Sequence, residues 1–234
     1  LAAYHLSPYN PVPFESITVT WPEAGTPLSE MKAEIDCDAW TREMERVMSR
    51  YHFKGFRLGM PGLTGRKYPN HHREIAGYGA DTPEFHVLFN SYAGQLESLF
   101  REKGWLDKAY IYWFDEPYDK DIPFVQSGFQ LLKDAAPGLR RMIAINSIKY
   151  LSELEGYVNT WCPQINAASL PFVEKRKAAG DHFWWYVCTN PKEPYPCLFI
   201  DHPGVNMRVW SWMSWGYGFE GQLVWATNRW HSRA

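Results

Sequence analysis

Short apolar runs alternate with amphipathic helical stripes along almost the whole chain, and this alternation limits the fold more than any other feature. A strand buried on both faces reads as a continuous apolar run. A helix that covers it spaces its apolar residues at three and four. Residues 109–114 (Ala-Tyr-Ile-Tyr-Trp-Phe) are such a run. Residues 55–59, 141–145, 157–161, 182–188 and 222–226 are also predicted strands, and residues 1–6 precede them as a seventh. Asp38 opens a stripe of Trp40, Met44, Val47, Met48 and Tyr51. Thr82-Pro83 opens another of Phe85, Leu88, Phe89, Tyr92, Leu96, Leu99 and Phe100, which Gly104 ends. Further helices are predicted over 123–136, 170–179 and 205–215, the last with Val205, Val209, Trp212 and Met213 as a core stripe. Residues 16–21 and 31–35 alternate around Gly25-Thr26-Pro27 and predict a hairpin.

Strands and helices in strict alternation imply a parallel sheet covered by helices. An open doubly wound sheet would place a glycine-rich turn after its first strand, and none is present. Polar or aromatic residues end nearly every strand, which suits a closed barrel, whose sites are built there. The expected fold is therefore α/β, a (β/α)8 TIM barrel filling residues 1–234 as one domain. Seven strands are countable, so the first strand is expected to precede Leu1.

Composition narrows the partners. A net charge of -2 gives no reason to expect nucleic acid. No apolar run is long enough for a membrane span. Cys37, Cys162, Cys188 and Cys197 lack a Cys-x-x-Cys pair, and His71-His72 has no completing ligand set, so no metal and no cofactor is expected. Cys188 and Cys197 could equally be bridged or free. His71, Arg66, Lys67 and Arg73 read as solvated loop polarity. Aromatic residues make up 17% of the chain, an unusual share, some of which belongs to cores. Flat rings with a polar handle also stack on the C–H faces of sugars.

Asp115-Glu116-Pro117 is the sharpest local signal. Two adjacent carboxylates directly follow the apolar run 109–114, where a buried strand opens onto the site face. Like charges in an apolar, aromatic setting favour keeping a proton on one of them, which a general acid needs. Glycosidases usually use two carboxylates, and in the commonest retaining barrels the second ends a later strand. Here the later strands end in Asn146, Pro163, Thr189-Asn190 and Thr227-Asn228, and Glu193 and Asp201 lie further out. Asp115 is therefore the expected partner of Glu116. Side chains of neighbours diverge and cannot flank one bond, so the two would divide the work. Glu116 would protonate the leaving oxygen, and Asp115 would hold a nucleophile belonging to the substrate, such as a 2-acetamido group.

At these residues the chain resembles glycoside hydrolase family 123, a group of β-N-acetylgalactosaminidases with many uncharacterised relatives. The resemblance lies in Tyr4-His5-Leu6-Ser7-Pro8, in Gly104 to Tyr112 leading into Asp115-Glu116-Pro117, and in Trp184-Trp185-Tyr186-Val187-Cys188. It continues from Phe199-Ile200-Asp201 through Arg208 and Trp212 to Gly218, and on to Leu223-Val224-Trp225-Ala226. Asn206, two before Arg208, departs from the acidic residue frequent there. The resemblance implies removal of a β-linked N-acetylgalactosamine with retention and substrate assistance. It implies Glu116 as acid/base, Asp115 as the residue that orients the acetamido group, and a barrel that begins near its second strand. It also implies a glycan or glycoconjugate substrate, flanking domains, a secreted or periplasmic location, and Trp225 as a ring in the pocket. A non-catalytic glycan-binding barrel is the alternative, and a Glu193 nucleophile a third reading.

Around the pair, Arg57, Asn146, Trp161, Trp185, Tyr186, Trp225 and Asn228 are candidate substrate contacts. Arg57 is costly to bury unpaired, so it is expected at the barrel mouth against a carboxylate. Alternate members of 183–186 face opposite sides of their strand, so Trp184 and Trp185 cannot both stack on a sugar. Tyr186 could offer its hydroxyl to the acetamido group.

Overall fold

The computed structural model describes residues 1–188, 190–199 and 201–225 of the 234-residue chain. In chain order its strands are β1 (Thr18–Thr20), β2 (Glu34–Asp36), β3 (Phe56–Leu58), β4 (Glu74–Ile75), β5 (Tyr78–Gly79), β6 (Ala109–Ile111), β7 (Arg140–Ile145), β8 (Thr160–Pro163), β9 (His182–Tyr186) and β10 (Gly221–Leu223). Its helices are α1 (Asp38–Tyr51), α2 (Pro83–Glu102), α3 (Ile122–Ala135), α4 (Lys149–Glu153), α5 (Leu170–Ala178) and α6 (Val205–Tyr217). The chain divides into two compact units, one of residues 1–114 with 119–141, the other of residues 115–118 with 142 onward.

Six strands pair in the order β3-β6-β7-β8-β9-β10, every pair parallel. Each strand lies beside the next in sequence, and the order never reverses. A doubly wound sheet reverses its order at a switch point, so that alternative is excluded. The protein has an α/β fold built on a six-stranded parallel sheet. The predicted hairpin is present, with Val19 opposite Ile35 in an antiparallel pair.

Residues 1–6 depart from the predicted strand. Ala2–Tyr4 is a 3-10 turn, none of its residues is buried, and Tyr4 is 81% exposed. Apolar character alone does not make a strand. The backbone needs a ladder partner, and here Leu1 and Ala2 carbonyls take up nearby N–H groups instead.

The first unit is held by aromatic packing. Phe56 of β3 meets Trp40 of α1, Phe100 of α2 and Trp105, with ring centroids 6.0–6.2 Å apart. Edge-on contacts dominate, as the quadrupoles of aromatic rings favour. Thr82 caps α2 by accepting the Phe85 N–H at 3.3 Å. In the long segment 60–81 Arg66 and His72 are exposed, as read, whereas His71 and Arg73 are anchored rather than solvated. His71 Nε2 lies 2.8 Å from Asp121 Oδ1, which also accepts the Tyr68 N–H. The His71 ring stacks on Phe124 at 4.2 Å, and the Arg73 guanidinium lies 4.6 Å from that ring's centre. Burial pushes the ionisation of Arg73 down. Asp121, whose side chain is buried in the turn before α3, carries no local signal of this role.

In the second unit Trp161 of β8 is fully buried. Its indole N–H donates to Asp181 Oδ2 at 2.7 Å, and Arg176 of α5 donates to the same oxygen at 2.8 Å. Trp185 of β9 is equally buried, packs on Trp210 of α6 and donates to Ser214 Oγ. The predicted stripe on α6 is not core. Trp210 is its buried residue, whereas Val205 and Trp212 are 58% and 73% exposed. A stripe fixes a face, and packing against Trp185, whose indole donates to Ser214 of the helix, decides which face is buried. All four cysteines are free, so the possible Cys188–Cys197 bridge is not formed.

Asp181 is nearly buried and holds a cation and an indole at once. Changing Asp181 to Ala should lower unfolding free energy by about 2–3 kcal/mol, because Arg176 and the Trp161 N–H lose a charged partner. Denaturant unfolding would check this, and a loss no larger than that of Trp161→Phe would refute it.

Candidate active site

The β6 segment leaves the ladder after Ile111 and re-enters it at Asp115. Ile111 lies opposite Arg141, and Asp115 opposite Ala144. Four steps on one strand match three on the other, so one extra residue is accommodated between them. Such a bulge re-aims the side chains beyond it, and bulges are frequent beside sites. The Glu116 N–H then donates to the Ala144 carbonyl at 3.3 Å. Both carboxylate residues are thereby fixed by backbone pairing to the carboxyl end of β7.

Glu116 has φ +44°, in the left-handed region. A Cβ is disfavoured there, and the following Pro117 independently biases residue 116 toward extended backbone. The local sequence thus opposes the conformation observed. Strain of this kind persists only where surrounding contacts impose it, and it gathers at functional sites.

The carboxylates meet one common neighbour. Tyr186, at the end of β9, donates its hydroxyl hydrogen to Glu116 Oε1. Its ring is buried, and its backbone bridges to Gln164 just beyond β8. Burial pushes the Tyr186 ionisation far above the ordinary tyrosine range. The hydrogen bond to Glu116 adds to this, and so do the negative charges of Glu116, Cys162 and Asp115. Tyr186 therefore stays protonated and remains a donor. Cys162, in β8, is fully buried, and burial with the nearby Asp115 charge pushes its thiol up well above the usual value. Both causes favour the neutral thiol over the thiolate. Asp115, Glu116, Cys162 and Tyr186 thus form one electrostatic cluster at the ends of neighbouring strands.

The remaining predicted residues separate. Asn146 follows β7 and is half-buried. Trp225 follows β10 and is 44% exposed, so its ring can meet a ligand. Arg57 is exposed, and its Nε donates to the Tyr112 carbonyl at 2.8 Å with the guanidinium 6.0 Å from the Tyr112 ring centre. Burial was the reason to expect a carboxylate partner; an exposed guanidinium carries no such penalty and takes a main-chain oxygen. Trp161 and Trp185 are corrected to core residues. Their rings are at most 1% exposed and both indole N–H groups are satisfied inside the protein, which leaves no face for a sugar. Asn228 lies outside the described residues. Sequence reasoning missed Cys162 and Gln164. Cys162-Pro163 was legible as a strand end, but its proximity to Asp115 depends on register between strands.

Parallel strands wound in chain order, with a carboxylate pair at a strand end, define a class of layout that glycoside hydrolases use. The sequence pattern of the glycoside hydrolase 123 catalytic domain matches residues 64–234, and the chain belongs to that family. Its structure is similar to that of a family 123 glycoside hydrolase from Clostridium perfringens, studied for glycolipid glycan hydrolysis. The TM-score is 0.57 at 14% identity, over 91% of this chain and 38% of that one. The chain therefore spans 38% of the length of that relative. No curated protein sequence matches.

The strained backbone yields a test free of any assay. Glu116→Gly and Glu116→Ala both remove the carboxylate, but only glycine tolerates positive φ. The glycine variant should be more stable than the alanine one by about 1 kcal/mol. Equal midpoints in denaturant, or a more stable alanine variant, would contradict the strain.

Proposed function

We propose that this chain removes a β-linked 2-acetamido sugar, N-acetylgalactosamine, from a glycan or glycoconjugate by substrate-assisted, retaining hydrolysis. The observation that carries the reading is the clustering of Asp115 and Glu116 around the Tyr186 hydroxyl, inside the region that matches the family. In this reading the six parallel strands are part of a (β/α)8 barrel. Asn146, Trp225 and Asn228 are its substrate contacts.

The chemistry follows from the pair being adjacent. Glu116 gives its proton to the glycosidic oxygen as the bond to C1 breaks. The carbonyl oxygen of the 2-acetamido group attacks C1 from the other face and closes an oxazolinium ring. Asp115 accepts the acetamido N–H, which turns that carbonyl toward C1 and offsets the positive charge that develops. Glu116, now ionised, takes a proton from water as the water oxygen attacks C1 and reopens the ring. Two inversions leave the configuration retained. The carboxylates need not flank the bond, since the substrate supplies the nucleophile.

Changing Glu116 to Gln should reduce turnover of poor leaving groups about 100-fold or more, while activated aryl glycosides, which need little protonation, should lose far less. Changing Asp115 to Asn should slow both alike. Steady-state rates on an aryl and an alkyl 2-acetamido galactoside measure this. Cleavage of a plain galactoside as fast as its acetamido analogue would overturn substrate assistance, and Glu193 would then be tested as nucleophile. Because proton transfer and the acetamido oxygen supply the chemistry, activity should survive exhaustive chelation; a loss that zinc or calcium restores would contradict this.

A further inference from the structure

We propose that Tyr186 is a positioning residue that assigns the catalytic proton to one oxygen of Glu116 and steadies the carboxylate once that proton has left; this rests on the acid role given to Glu116 above. A glutamic acid side chain has two oxygens and can present either to a substrate. Here Oε1 is occupied, because the Tyr186 hydroxyl donates to it. A hydroxyl could turn and accept instead, but one surrounded by Glu116, Asp115 and the Cys162 sulfur in a buried place keeps its hydrogen and directs it at the carboxyl. A protonated Glu116 must then carry its proton on Oε2, the oxygen left for the glycosidic bond.

The same hydrogen bond changes strength along the reaction. While Glu116 is neutral, Tyr186 donates to a carbonyl-type oxygen. After the proton has moved to the leaving group, it donates to a carboxylate, and charge-assisted hydrogen bonds are shorter and stronger. An interaction that strengthens as the reaction proceeds lowers the barrier, whereas one equally strong throughout does not. In the second half the proton returns from water to Oε2 by the reverse path. The left-handed backbone at Glu116 fits this picture, since the side chain is brought to the hydroxyl against local preference. A tyrosine hydrogen-bonded only to satisfy its buried hydroxyl would affect folding but would not discriminate between substrates.

The test is Tyr186→Phe, which keeps the ring and removes the hydroxyl. On an alkyl 2-acetamido galactoside kcat should fall about 10- to 100-fold, the range for losing a hydrogen bond to a charged group. On an activated aryl analogue it should fall about 3-fold or less, since little protonation is needed. The alkaline limb of the kcat/KM profile should move to higher pH, because without the donor Glu116 holds its proton longer. Asp115 and Cys162 are the other titratable groups facing Tyr186, and neither is changed. Equal losses on both substrates, or an unmoved limb, would overturn the proposal. A second measurement needs no turnover. In the full chain labelled at the tyrosine carbon bearing the hydroxyl, the NMR signal lost in Tyr186→Phe identifies Tyr186. That signal should shift as Glu116 changes charge in the wild type and should not in Glu116→Gln. A signal that does not titrate, or that titrates unchanged in Glu116→Gln, overturns the positioning role. A chain that hydrolyses no acetamido glycoside yet keeps this coupled titration would sink the proposed substrate and leave the Tyr186–Glu116 device standing.

Discussion

The Glu116 N–H donates to the Ala144 carbonyl, and much of the candidate site depends on that bond. Parallel strands are held by slanted ladder bonds that end where the strands end. Here the pairing resumes beyond β6, after an interruption of one extra residue, and carries Asp115 and Glu116 to the level of Ala144. One residue further along β7, Ile145 accepts the Gln164 N–H, and Gln164 bridges to Tyr186. Backbone pairing therefore runs from the carboxylates through β7 and β8 to the tyrosine. Rigid elements position reacting groups better than free loops do, and each of these residues is set by its neighbour's main chain.

That support is what a strained residue requires. Glu116 sits in left-handed backbone before a proline, a combination neither residue favours. The Ala144 bond holds its main chain and the Tyr186 hydroxyl holds its side chain. Burial raises the cost of leaving Tyr186 without an acceptor, so the hydroxyl and the carboxylate each satisfy the other. Burial, with the nearby Asp115 charge, favours the neutral form of the Cys162 thiol as well.

The fold was largely legible because its signal is local. The stripe of α2 and the Thr82 cap each lie in one stretch of sequence and formed where expected, and the strand expected over Ala109–Phe114 formed over Ala109–Ile111. Residues 1–6 failed because a strand also needs a partner, and no local pattern reveals one. The α6 stripe failed for a related reason. Its apolar residues go most of the way round the helix, so spacing could not say that Trp210 would be buried and Trp212 exposed. The same division holds in the site. Asp115-Glu116 was readable as a strand end, whereas the Tyr186 bond and the Cys162 contact span 70 and about 50 residues and depend on register.

The aromatic residues carry the last step. Their abundance suggested sugar platforms, and the structure spends Trp40, Phe56, Phe100 and Trp105 on one core cluster and Trp161 and Trp185 on another. A tryptophan in mid-strand of a covered sheet packs beneath helices by default, and its indole N–H then finds a polar partner such as Asp181 or Ser214. Only past the strand end does the chain come free of the covering helix. That is where Asp115, Glu116 and Trp225 lie, and where the hydroxyl of Tyr186 reaches. Composition thus reports what the core needed, and position along the strand decides which of the same residue types is left to meet a ligand.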